Sequence, residues 1–91
     1  MSLDGDKMAA LRERFAASLA EQAERLPALL EAGDLEGLRA LAHSVAGRAG
    51  MFGFPELGEI ARQADEADSA ALPERARVLL AAVRASLHAE G

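Results

Sequence analysis

The 91-residue sequence predicts an all-α fold, an antiparallel four-helix bundle of up-and-down topology. Three observations predict it. Apolar residues recur at the helical period in four separate stretches. Glycine or proline breaks fall between those stretches, at Gly33-Asp34, Gly53-Phe54-Pro55 and Leu72-Pro73. Alanine is abundant and β-branched residues are scarce, a composition that favours helices over strands. Short connections then set successive helices antiparallel.

The first helix carries apolar positions at Met8, Leu11, Phe15, Leu19, Leu26 and Leu29 or Leu30, with Asp4 or Asp6 as its cap. Pro27 interrupts this stripe without changing its phase, so one helix with a kink is expected rather than two. Gly33 ends it and Asp34 caps the next. The second helix runs from Leu35 to about Met51, and Pro55 suits the first turn of the third. That third helix, Glu56 to about Ser69, buries Leu57, Ile60, Ala61, Ala64 and Ala67, small residues that allow close packing. Leu72-Pro73-Glu74 opens the fourth, whose buried face is Ala76, Leu79, Leu80, Val83 and Leu87.

Length and composition bound the function. Ninety-one residues build one core but not two, here a single domain over 4–89. The ends, Met1-Ser2-Leu3 and Glu90-Gly91, resemble cloning remnants and are set aside. No apolar run approaches the length of a membrane span and no secretory signal is visible, so the expectation is a cytoplasmic protein without a membrane partner. A net charge of −5 opposes a phosphate backbone, which excludes nucleic acid as a partner. No cysteine is present, hence no thiol chemistry. A nucleotide loop and a nucleophile set beside a base are also lacking, so no self-contained active site is expected.

The informative stretch is Ala40 to Phe54, with three glycines, one histidine and two of the three phenylalanines. On a helical wheel Leu35, Leu38, Leu41, Ala42, Val45, Ala49 and Phe52 fall within about 60° of Leu38, a core face. His43 lies about 140° from Leu38, Gly47 about 180°, Gly50 about 120° and Arg39 about 100°. His43 is therefore expected in solvent, one turn before a glycine on the same strip. An exposed helical glycine costs about 1 kcal/mol relative to alanine. What it provides is access: with no side chain at Gly47 or Gly50, and methyls at Ala40 and Ala46, another protein can approach the imidazole.

His43 has blander readings. A core position is ruled out by the wheel, and a metal site needs partners that neither His88 nor any cysteine supplies. His88 reads as a last-turn cation complementing the helix dipole. Arg39 either meets a phosphate beside His43 or is an ordinary solvated arginine. Arg48 falls on the far flank, where it packs its stem or pairs with an acid. Phe52 and Phe54 read as plugs at the end of the bundle. Gln63 and Asp65 reach the imidazole only if the third helix packs alongside, and Asp65, Glu66 and Asp68 otherwise read as solvation.

The string His43-Ser44-Val45-Ala46-Gly47-Arg48-Ala49-Gly50-Met51-Phe52-Gly53-Phe54 resembles the signature of histidine-containing phosphotransfer (HPt) domains. That pattern is His, any residue, an aliphatic, usually Lys, then Gly, with a small residue two on and a second Gly six after the first. His43, Val45, Gly47, Ala49 and Gly53 match it. The tail from Ala49 to Phe54 is similar to the phosphotransfer domain of chemotaxis histidine kinases. Leu57, Ile60 and Asp65 fall where the family has apolar positions and a Glu or Gln. The resemblance spans about Phe15 to Ala67, and it departs from the pattern at Ala46, where the usual Lys is absent.

This resemblance implies a monomeric phosphorelay carrier rather than an enzyme, needing no cofactor. His43 would accept a phosphoryl group from a receiver aspartate or a histidine kinase and pass it to a response-regulator receiver domain. The receiver would supply Mg²⁺ and a lysine, while Arg39, Ala46, Gly47 and Gly50 would form the partner-binding surface. The competing reading is a docking module of the same fold that takes no phosphate, which the missing Lys at Ala46 keeps open.

Overall fold

The computed structural model describes residues 3–90, with side chains described for 7–88. Four helices follow one another: α1 (Leu3–Ala32), α2 (Leu35–Ala49), α3 (Pro55–Glu66) and α4 (Leu72–Glu90). Each packs on its neighbours in sequence and α4 closes the ring on α1, which makes an up-and-down bundle. Among the described residues α1 and α3 sit diagonally opposite, without contact.

Pro27 lies inside α1, which stays one helix as the unbroken stripe predicts. Gly33 ends it at φ +67°, where an L side chain would be strained. Asp34 then caps α2, its Oδ1 accepting from the Gly37 amide at 2.9 Å. Two expectations fail at other boundaries. The cap proposed at Asp4 or Asp6 falls inside α1, which already begins at Leu3, and those two side chains lie outside the ones described. The third helix stops at Glu66, short of Ser69, because the Asp68 carboxylate accepts from the Ala71 amide at 2.9 Å and its carbonyl accepts from Leu72. That local turn competes with the helix and opens α4 instead.

The core joins Phe15, Leu19 and Leu26 of α1 to Leu38, Leu41, Ala42, Val45 and Ala49 of α2. Leu57, Ala61 and Ala64 of α3 and Leu72, Ala76, Leu79 and Val83 of α4 complete it. Phe52 and Phe54 plug its end, their ring centroids 5.5 and 5.4 Å from that of Phe15. The expected stripe of α1 does not hold at its start: Met8 and Leu11 are exposed. The reason is length, since α1 has 30 residues and α2 only 15, so the first turns of α1 run past the helices that would cover them. Gln22 occupies the stripe between Leu19 and Leu26, buried with its side-chain carbonyl unpaired.

One close approach positions the site. A methyl group at Gly58 would lie 3.3 Å from the Gly50 backbone nitrogen and 3.5 Å from Ala49 Cβ. Glycine on α3 therefore lets that helix lie tight along α2.

Candidate functional site

His43 projects from the middle of α2 on the side away from Leu38 and Val45, and 78% of its side chain is exposed. The sequence places it there because five buried residues of α2 commit the opposite face. Gly47 and Gly50 have nothing within 4 Å of where a Cβ would stand, so the strip beside the imidazole is open. Ala46 differs from them. It is half-buried against the core, on the flank that α3 covers.

The imidazole is not free in orientation. Its Nδ1 lies 2.9 Å from Oδ2 of Asp65, which α3 holds at its last turn and which is only 23% exposed. An ionised carboxylate can only accept, so Nδ1 carries the proton and donates it. The lone pair is then on Nε2, at the outer edge of the ring. Asp65 thereby fixes the tautomer and the ring plane together.

Arg39 completes the arrangement from behind. Its guanidinium donates through Nη1 to the Asp65 backbone carbonyl, one of the last-turn carbonyls that have no partner within the helix. The charge also suits the negative end of the α3 dipole. Arg39 is half-buried in this role, so the reading of it as a solvated arginine is corrected. Arg39, His43 and Asp65 line a shallow groove of about 450 Å³ with Leu35, Glu36, Ala40 and Ser69.

The remaining candidates sort by helix. Arg48 lies on the far flank as expected and, among the described residues, pairs with no acid: it donates to Ser44 Oγ at 3.1 Å, and its guanidinium carbon sits 5.8 Å from the Phe15 ring centroid. Gln63 turns to Glu59, donating at 3.3 Å, and does not reach the imidazole. The solvation reading fails for each of the three acids: Asp65 orients His43, Asp68 closes a turn and Glu66 pairs with Arg62. Arg62 and its two glutamates are a further cluster on α3: Arg62 donates to both oxygens of Glu59 and, at 2.7 Å, to Glu66. These contacts hold the Glu59 carboxyl below the usual carboxylate range and push the guanidinium up. His88 sits exposed in the last turn of α4, where the dipole favours it.

Among the described residues no group of acids, histidines or cysteines is gathered to hold a metal ion. No described helix is long and apolar enough to cross a membrane.

The family model described as Hpt domain matches residues 10–89. No curated protein and no solved structure matches the chain.

Proposed function

This chain belongs to the Hpt domain family, and on that premise we propose that His43 is the residue that carries its phosphoryl group. Hpt domains are histidine-containing phosphotransfer modules of phosphorelays, carriers rather than catalysts, and they work with receiver domains and kinases. The observation that carries the assignment is the 2.9 Å contact between His43 Nδ1 and Asp65, on an otherwise open face.

The step follows from that contact. The Nε2 lone pair attacks phosphorus of an acyl phosphate on a receiver aspartate. The phosphorus–oxygen bond breaks and the receiver's carboxylate leaves with the electron pair. The ring becomes a phosphoimidazolium whose Nδ1–H stays hydrogen-bonded to Asp65, and that carboxylate offsets the new positive charge. Transfer onward is the reverse reaction on another receiver. Such chemistry asks mainly for in-line positioning and charge balance, and the partner contributes its own groups to both. Arg39 sets the Asp65 backbone, while Gly47 and Gly50 leave room for the partner and Ala46 lies at the edge of its footprint.

The deciding experiment is incubation with a panel of phosphorylated receiver domains, followed by intact mass and peptide mapping. An acid-labile gain of one phosphoryl group on His43 is expected. Tight binding to a receiver without that gain would replace the carrier assignment with a docking module.

Two variants probe the arrangement. Asp65→Asn keeps the shape but loses the carboxylate, so nitrogen NMR should show the His43 proton moving from Nδ1 toward Nε2. Acceptance should fall about three- to tenfold, the range for a charge-assisted hydrogen bond at a partly exposed site. Gly47→Leu should raise stability by up to about 1 kcal/mol, since an exposed helical glycine becomes a good helix former. Transfer from a receiver should nevertheless drop, while phosphorylation by a small donor such as phosphoramidate stays at the wild-type rate. Equal losses with both donors would mean that the leucine disturbs the imidazole itself and not the docking of a partner.

A further inference from the structure

A phosphorylated His43 brings close to two negative charges beside Asp65, and of the α2 cations only Arg39 lines the same groove. Ala46, one turn from His43, carries only a methyl, Arg39 gives its Nη1 to the Asp65 carbonyl, and Arg48 lies on the far flank over Phe15. The register between α2 and α3 supplies another candidate.

Two contacts fix that register. Gly58 abuts Gly50, and Asp65 meets His43. The intervals from Gly58 to Asp65 and from Gly50 back to His43 are equal, so the helices run antiparallel in step. Arg62 lies as far before Asp65 as Ala46 lies after His43, which sets Arg62 level with Ala46 across the seam. The rotational position agrees. Leu57, Ala61 and Ala64 face the core and Gly58 and Asp65 face α2, while Arg62 falls about 60° beyond Asp65, toward solvent. His43 lies on the solvent side of the same seam, one turn from Ala46.

We propose that Arg62 supplies from α3 the cation that α2 lacks at position 46, closing on the phosphoryl oxygens once His43 is phosphorylated. The inference rests on His43 being the carrier. Arg62 is half-exposed and held by Glu59 and Glu66 of its own helix. Exposed ion pairs at that spacing contribute little, so the guanidinium can exchange one carboxylate for a phosphoryl group of higher charge. A guanidinium also offers paired donors matched to two phosphoryl oxygens, which a lysine does not. The small residue at 46 and the arginine at 62 are thus one arrangement: a long side chain at 46 would occupy the path that Arg62 takes.

The test needs no partner protein. Phosphoramidate phosphorylates exposed imidazoles: Nε2 attacks phosphorus, the phosphorus–nitrogen bond of the donor breaks, and ammonia leaves. Acceptance rate and steady-state phosphohistidine are measured by phosphorus NMR, with the site mapped by mass. Arg62→Gln should lower both about two- to fivefold, the scale of an exposed charge contact. Arg62→Lys should retain most of the wild-type level. Adding Ala46→Lys to Arg62→Gln should restore it, a rescue from another helix that a merely structural role of the Glu59-Arg62-Glu66 cluster would not give. The difference should shrink in 1 M salt, where the screening length is about 3 Å. If Arg62→Gln matches wild type while the phosphoryl group still maps to His43, the inference is wrong and the carrier assignment stands. If the wild-type chain takes no phosphoryl group on His43, both fall.

Discussion

Replacing His43 with glutamine is expected to abolish phosphoryl acceptance from every donor while leaving the bundle intact. The glutamine cannot attack phosphorus, because its amide nitrogen has no available lone pair. His88, the other histidine, sits exposed on α4, and among the described residues no carboxylate orients it, so the loss should be complete. Stability should change by no more than about 0.5 kcal/mol, as for most exposed substitutions. The side chain lost is 78% exposed. Circular dichroism and thermal melting would check the fold, and intact mass after incubation with a phosphorylated receiver would check the function. Label retained on the variant would sink the assignment.

The opposite face of the same helix should give the opposite result. Leu38 is 1% exposed, and Leu38→Ala should cost about 2–5 kcal/mol through lost burial and the cavity left behind. For a domain of this size each kcal/mol moves the melting midpoint by about 4–8 °C, so a drop of at least about 8 °C is expected. Acceptance measured well below the new midpoint should stay close to wild type, because the His43–Asp65 pair lies on the far side of α2. A variant that melts early yet loses activity in the cold would show that the imidazole depends on core packing more closely than the exposed geometry implies. Together the two substitutions separate the face of α2 that builds the bundle from the face proposed to carry the phosphoryl group.

Much of this division is legible in the residues of α2 alone. Leu38, Leu41, Ala42, Val45 and Ala49 repeat at the helical period, and burying that stripe forces His43, Gly47 and Gly50 outward whatever the neighbours are. The helix boundaries at Gly33, Asp34 and Pro55 are equally local, since each depends on a backbone preference or a cap a few residues away. Boundaries set by competition were harder to read. The helical pattern continues to Ser69, but the Asp68 turn wins, and Met8 and Leu11 keep the apolar spacing although α1 outruns the helices that would cover them.

Four helices, a buried stripe on each and an open histidine follow from the residues of single helices, because periodicity, caps and breakers act within one helix. What meets the imidazole depends instead on how two helices pack. Asp65 and Arg39 are separated by 26 residues, and their contact exists because Gly58 lets α3 lie against Gly50 in one register. A shift of one residue along α3 would rotate Asp65 away by about 100° and leave His43 unoriented. That register is a property of two packed surfaces, and no pattern within either helix specifies it.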